Sequence, residues 1–435
     1  MQKLHHLRPL TFLALVTCTA ACSSLPADAE RIDEVRATSS ALTPSLTEVT
    51  GFGTNPGALK MYEHVPAGLA AGAPVVVVLH GCTEGAANAA LTGWADLADA
   101  TKFLVVFPEQ QTANNPVKCF NWAGEYGDPS NLQRGKGESL SIKQMVDKAV
   151  AAHGSDPKRV FVVGFSAGGA TAAIMAATYP DVFAGGAVLA GVPYDCTTTY
   201  AEVNGCMKPG KTKSAADWAT LVKAADPGFA GPWPRMSIWQ GSADTTVAPA
   251  NRMELVKQWA GVHGVDSASP VTDTVDGQTH ASYKDSTGAV VVETYEISGM
   301  AHAVPVVPSA SCGTASTYAV DKGICAAGRI ASFFGITSAS GTGTGTGTGG
   351  ADAGADAKAG GTGTGALSSS SSTGGVASDG GAGAAPGAGE GTAGSTCDVA
   401  GSIGGTSSAP LALLASLLTL GVAVARMRSR KAVVR

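Results

Sequence analysis

The stretch "RVFVVGFSAGGATAAIMAATYP", residues 159–180, restricts the fold more than any other part of the chain. A β-branched apolar run ends at Gly164. Ser166 follows between glycines, and an Ala-rich helical run begins at once. A chain that passes from strand to helix across a single residue must hold that residue in strained backbone angles. Small residues at 164 and 168 let the strand and the helix approach each other. The turn stands the serine hydroxyl clear of the strand end, above the free N–H groups and positive potential of a helix N-terminus. Gly164-Phe165-Ser166-Ala167-Gly168 matches G-x-S-x-G in the strand–turn–helix context of a nucleophile elbow.

The rest of the central region supplies the sheet that such a turn needs. "VVVVLH" at 75–80 is a continuous apolar run, as expected of a strand buried on both faces. "FLVVF" at 103–107, "VFVVG" at 160–164, "GAVLAG" at 186–191, "SIWQG" at 237–241 and "VVVETYEI" at 290–297 complete the set. Helical patterns lie between them. In "SIKQMVDKAVAAHG", Ile142, Met145, Val146, Ala149 and Val150 follow the i, i+3, i+4 rule, with Ser141 predicted to cap the start and Gly154 the end. "NRMELVKQWAG" at 251–261 repeats the theme. Alternating strands and helices predict a mainly parallel sheet covered by helices on both faces, with ligands at the carboxyl ends of its strands. Residues 45–336 form this one globular domain.

The ends of the 435-residue chain read differently. "MQKLHHLRPLTFLALVTCTAAC" has Lys3 and Arg8, then a short apolar run and small residues, which predicts a signal peptide within residues 1–29. Cys22 after Thr19-Ala20-Ala21 resembles a lipobox with Thr19 where Leu is usual; the other cleavage point follows Ala29 in "ADA". Residues 337–396 are mostly Gly, Thr, Ala and Ser, which cannot bury a core and predict a tether. Residues 397–435 hold Cys397, then "APLALLASLLTLGVAVA" at 409–425 and "RMRSRK", an apolar segment at the short limit for a membrane span with a basic end that stays cytoplasmic. That order resembles a MYXO-CTERM sorting tail, which is processed near its cysteine. The expectation is an exported protein tethered to the membrane or cell surface through this tail, and through Cys22 where Cys22 is lipidated. The net charge of −5 is mild and points to no nucleic-acid partner.

Export permits disulfides. Of nine cysteines, Cys82, Cys119, Cys196, Cys206, Cys312 and Cys325 fall in the globular part. Fifteen pairings are open to six cysteines. Short loops favour Cys196–Cys206 and Cys312–Cys325, which leaves Cys82–Cys119. No CxxC spacing occurs among them, so no metal site is expected, and no cofactor is expected either.

A serine hydroxyl needs a base to become a nucleophile, and on this kind of sheet the partners follow in the order Ser, Asp, His. His263 ends a helix beside Gly264 and reads as a surface residue. His280 lies in polar "DGQTHASYKD", an edge hairpin. His302, in "ISGMAHAVP", follows the last strand of the set where the ligand face should be, and is the predicted base. Asp244 in "SIWQGSADTTVAP" lies three residues past a strand end and is the predicted acid, with Asp195 after "LAGVPY" the second choice. An oxyanion hole needs two preorganised N–H donors. Ala167 supplies one, as the residue after the serine, and Cys82 in "LHGCTEG" is predicted to supply the other.

"LHGCTEG", "CFNW", "GESLSIKQMV", "VGFSAGG", "ATYPDVFAGGAVLAGVPY", "GSADTTVAP" and "GMAHAVPV" together resemble the poly(3-hydroxybutyrate) depolymerase-type esterases, which are related to feruloyl and acetyl-xylan esterases. The resemblance runs from about residue 51 to near 336. It implies an α/β-hydrolase fold, Ser166, Asp244 and His302 as the triad, Cys82 and Ala167 as oxyanion donors, and Trp122 of "CFNW" on the wall of a substrate cleft. From the residues alone Trp122 is equally a core aromatic. The resemblance also implies an ester or polyester substrate, with a feruloyl or acetyl-xylan ester as the alternative. Few large apolar residues surround the motifs, which argues against a deep pocket for long acyl chains.

Overall fold

In the computed structural model the described residues are 44–124 and 129–337. The expected signal peptide, the expected sorting tail and all of the Gly/Thr/Ala/Ser-rich segment except Thr337 lie outside them. Strands β1 (Thr47–Val49), β2 (Lys60–His64), β3 (Val75–Leu79), β4 (Leu104–Glu109), β5 (Val160–Phe165), β6 (Gly185–Leu189), β7 (Arg235–Gly241), β8 (Val271–Val275), β9 (Gln278–Lys284) and β10 (Val290–Ile297) build one sheet. Its order is β1-β2-β4-β3-β5-β6-β7-β10-β9-β8. From β4 to β10 every neighbouring pair is parallel, and the pairs outside that run are antiparallel. A short parallel pair, β11 (Val304–Val306) and β12 (Ala319–Asp321), stands apart.

Helices α1 (Ala86–Ala90), α2 (Trp94–Thr101), α3 (Gly137–His153), α4 (Ala167–Thr178), α5 (Val203–Met207), α6 (Ala215–Ala225), α7 (Ala250–His263) and α8 (Ala326–Phe333) cover the sheet. Alternate strand residues join different cores. Val75, Val77 and Leu79 pack with Ile142, Met145 and Ala149 of α3 and with Met175 of α4. Val76 and Val78 pack with Ala86, Trp94 and Ala98 of α1 and α2 and with Ile330 of α8. Side chains of a strand point alternately to its two faces, so a strand covered on both needs an unbroken apolar run. This is the reason "VVVVL" does not alternate. The architecture is the α/β-hydrolase fold, a mostly parallel central sheet with helices on both faces.

The expected disulfides are present as Cys82–Cys119, Cys196–Cys206 and Cys312–Cys325. Helix α3 differs at its start. It begins at Gly137, so Ser141 lies inside it and Gly154 alone keeps its predicted capping place, at φ 62°. The Ser141 hydroxyl donates to the Gly137 carbonyl and accepts the Gly57 N–H at 2.8 Å, a tertiary contact that no helix-start signal encodes. His263 is half-buried rather than a surface residue. Its Nε2 meets the Pro234 carbonyl at 3.0 Å, and burial holds its pKa down.

Candidate active site

The turn at Ser166 follows from backbone contacts on both of its sides. Ser166 takes φ 56° and ψ −119°, between the end of β5 and the first residue of α4. Its N–H donates to the Leu189 carbonyl of β6 at 2.9 Å. A Cβ at Gly164 would lie 2.0 Å from the Gly168 carbonyl oxygen, and one at Gly168 would lie 2.4 Å from the Leu79 oxygen. Both neighbours are backbone atoms that cannot swing aside, so the two glycines are required by close approach. All residues of α4 are buried. That burial suits its run of Ala and Gly, which lets the helix lie close to the sheet.

Asp244 and His302 reach Ser166 from two loops that are tied to each other. The Ser242 N–H donates to the Ile297 carbonyl and the Ala243 N–H to the Met300 carbonyl, both at 3.0 Å. A Cβ at Gly241 would lie 2.2 Å from the Met300 oxygen, so "QGSAD" also needs its glycine. His302 Nε2 lies 2.8 Å from Ser166 Oγ, and His302 Nδ1 lies 2.7 Å from Asp244 Oδ2. Asp244 Oδ1 accepts the N–H groups of Thr246 and Val247 at 2.8 and 2.9 Å, and Oδ2 also accepts from Gln240 Nε2 at 2.9 Å. Burial pushes the Asp244 carboxyl up. The hydrogen bond and charge of His302 and the two backbone donors outweigh that and hold it below the usual carboxylate range. Asp195 is not part of this row: both ring nitrogens of His302 are already engaged. His280 is elsewhere, on the β8–β9 hairpin, with Nδ1 at 2.6 Å from Asp273.

The loop after β3 brings Cys82 to the same place. Cys82 and Ala167 line a cleft of about 170 Å³ together with Ser166, His302, Trp122 and Met207. Val192, Val247 and Tyr318 add to its apolar wall. Trp122 is at once core and cleft, buried to 7% exposure yet part of this wall. The loop is held from below. The Gly81 N–H donates to Glu84 Oε2 at 2.8 Å, and the Thr83 N–H donates to the Val117 carbonyl at 2.7 Å. His80 is buried, and its burial lowers the imidazole pKa to about 4. It is therefore neutral, with Nδ1 donating to the Gly81 carbonyl at 2.6 Å and Nε2 accepting the Gln110 N–H at 3.1 Å.

A hydroxyl, an imidazole and a buried carboxylate in a row can move a proton off the hydroxyl and stabilise the imidazolium that results. Sequence reasoning missed three supports of this site. Gln240 steadies Asp244, His80 braces the Gly81 carbonyl, and Tyr318 packs edge-on to His302 with ring centroids 6.4 Å apart. The polar residues at the strand ends, in "IWQG" and "VLHG", carried a signal for the first two. Tyr318 is brought in by β12 and had none. Among the described residues no cluster of His, Cys, Asp or Glu could hold a metal ion, and no helix is long and apolar enough to cross a membrane.

The sequence model of the family described as Esterase PHB depolymerase matches residues 59–280, just over half of the chain. The chain belongs to the esterase PHB depolymerase family. As a member it is a carboxylic ester hydrolase. This esterase is 50% identical over 305 residues to poly(3-hydroxyalkanoate) depolymerase C of Paucimonas lemoignei, covering 69% of this chain and 73% of that protein. It is 38% identical over 278 residues to the probable acetylxylan esterase A of Aspergillus clavatus, covering 62% of this chain and 88% of that one. Among solved structures, the acetyl xylan esterase from Aspergillus awamori superposes on it with a TM-score of 0.58 at 29% identity, covering 67% of this chain and all of that chain.

Proposed function

We propose that this esterase hydrolyses short-chain hydroxyacyl polyester, of the poly(3-hydroxybutyrate) type, or its soluble oligomers. Ser166 attacks the ester carbonyl while His302 Nε2 takes its proton, and Asp244 orients and stabilises the imidazolium. The N–H groups of Cys82 and Ala167 receive the charge that develops on the carbonyl oxygen. His302 then protonates the departing alcohol, and a water activated in the same way cleaves the acyl-enzyme. Trp122 forms part of the acyl-binding wall.

The observation that carries the substrate class is the 50% identity with poly(3-hydroxyalkanoate) depolymerase C, against 38% with the acetylxylan esterase of Aspergillus clavatus. The small cleft supports it, being below the several hundred Å³ typical of pockets for larger ligands. The three disulfides fit an oxidising compartment. Export through the residue 1–29 segment and tethering through residues 397–435 complete the proposal: an enzyme held at the cell surface meets diffusing or contacted substrate there. An acetyl-xylan or feruloyl ester is the competing substrate, and the fuller coverage of the Aspergillus clavatus acetylxylan esterase supports the acetyl-xylan form of it.

The deciding assay compares hydroxybutyrate trimer with methyl ferulate and acetylated xylan. The trimer is expected to give the highest kcat/KM. If ferulate or xylan is preferred tenfold, about 1.4 kcal/mol in transition-state binding, the polyester reading falls.

A further inference from the structure

Beneath the cleft wall lies a buried carboxylate that the chemistry above does not use. Glu138 stands in the first turn of α3 and is 3% exposed. Its Oε1 accepts from Gln110 Nε2 at 2.5 Å and from Asn121 Nδ2 at 2.7 Å, and its Oε2 accepts the Asn121 N–H at 2.8 Å. Its own N–H donates to Asn131 Oδ1 at 2.8 Å. A buried carboxylate is costly to desolvate and persists where donors satisfy it. Those donors are the groups that Glu138 holds in place.

Two arms leave Glu138. The first runs through Gln110, whose N–H donates to His80, and His80 in turn grips the Gly81 carbonyl beside Cys82. The second runs through Asn121 to its neighbour Trp122. Gln110 Nε2 also donates to the Cys119 carbonyl at 3.0 Å, and Asn115 Nδ2 donates to Asn121 Oδ1 at 3.1 Å. The Cys82–Cys119 disulfide closes the ring between the arms. The oxyanion loop and the aromatic wall thus form one body, with Glu138 hydrogen-bonded directly to a residue of each arm.

We propose that Glu138 is a positioning residue. It sets the Cys82 N–H and the Trp122 ring in fixed relation to each other, so that a substrate seated against Trp122 presents its carbonyl oxygen to Cys82. The proposal rests on the reading of Cys82 as an oxyanion donor. Donors of that kind act through preorganisation, so small displacements are expensive in rate.

The test measures kcat per active site on nitrophenyl butyrate, with sites counted by fluorophosphonate labelling of Ser166. It uses the full-length protein and the variants Glu138→Gln, Asn121→Ala and both together. Glu138→Gln keeps the shape but loses acceptor capacity on one oxygen. Its kcat per labelled site is expected to fall about tenfold or more with KM changed by less than about threefold. Asn121→Ala should fall less, and the double variant no further than Glu138→Gln, because the two residues share one network. Affinity for a boronic-acid transition-state analogue should fall by the same factor as kcat/KM. Unfolding alone would lower the number of labelled sites and leave the rate per site intact. The proposal is overturned by a rate per labelled site within about twofold of wild type in Glu138→Gln or, where that variant does not fold, in Asn121→Ala. Absence of labelling in the wild-type protein would instead strike the Ser166 reading itself, and this proposal with it.

Discussion

Ser166 and Cys82 line the same cleft, and two different kinds of force hold them there. Ser166 is placed by hard contacts of the backbone. Gly164 and Gly168 sit where any side chain would collide with a carbonyl group. Cys82 is placed by polar contacts of two kinds: Glu84 and His80 on Gly81 from within its own loop, and Gln110 on His80 and Cys119 through a disulfide from farther along the chain. Excluded volume tolerates no approximation, and a short local motif can encode it. A polar brace can be assembled from any residues that the topology brings together, so it leaves only scattered marks in the sequence.

The largest effect expected on the serine side is chemical. Ser166→Ala should lower kcat by on the order of 10⁴–10⁶-fold while the protein still folds, since it removes one half-buried oxygen. Asp244→Asn should cost less, because His302 and the two backbone donors still hold the side chain in place. Turnover of nitrophenyl butyrate with a parallel thermal melt checks both. Full activity in Asp244→Asn would remove Asp244 from the mechanism.

A smaller effect tests the steric side without touching a reacting atom. Gly168→Ala places a Cβ 2.4 Å from the Leu79 oxygen. Helix and strand must separate, at a cost on the order of 1–3 kcal/mol. Urea unfolding measures that cost. The rate should drop with it, since the same shift moves the Ala167 N–H. A variant as stable and active as wild type would show that the helix can move away from Leu79 at no cost.

The polar side is tested by a pH dependence. Burial lowers the His80 pKa from 6.5 to about 4. The unfolded chain therefore takes up a proton that the folded chain refuses. The stability associated with neutral His80 is complete above pH 6.5 and is lost as pH falls from there towards about 4. The slope approaches about 1.4 kcal/mol per pH unit inside that window. His263, whose pKa burial also lowers, adds to the loss. His280, whose pKa is raised because its acidic partners outweigh its burial, works against it. Denaturation midpoints at several pH values, for wild type and His80→Asn, isolate the His80 share as the difference in slope. Equal slopes would mean that His80 is not kept neutral.

Much of the fold was legible because buried parallel strands announce themselves. "VVVVLH", "VFVVG" and "SIWQG" mark β3, β5 and β7 to within a few residues. The start of α3 was misplaced at Ser141, because its first turn is stabilised by Asn131 and by the contacts of Glu138, which lie outside the helix pattern. His263 was misjudged for a related reason. A helix end reads as exposed, but the Pro234 segment passes over it.

By itself the sequence determined the strand–helix alternation, the turn at Ser166 and the order of Ser166, Asp244 and His302. Each depends on local geometry: apolar runs that need cover, glycines that need space, and polar residues that follow strand ends. Only the tertiary structure decided that Gln240 stands behind Asp244 and that His80 and Glu138 stand behind the loop of Cys82. Those choices depend on which loops meet across the sheet, and hydrogen bonds between residues far apart in the chain leave no period to read.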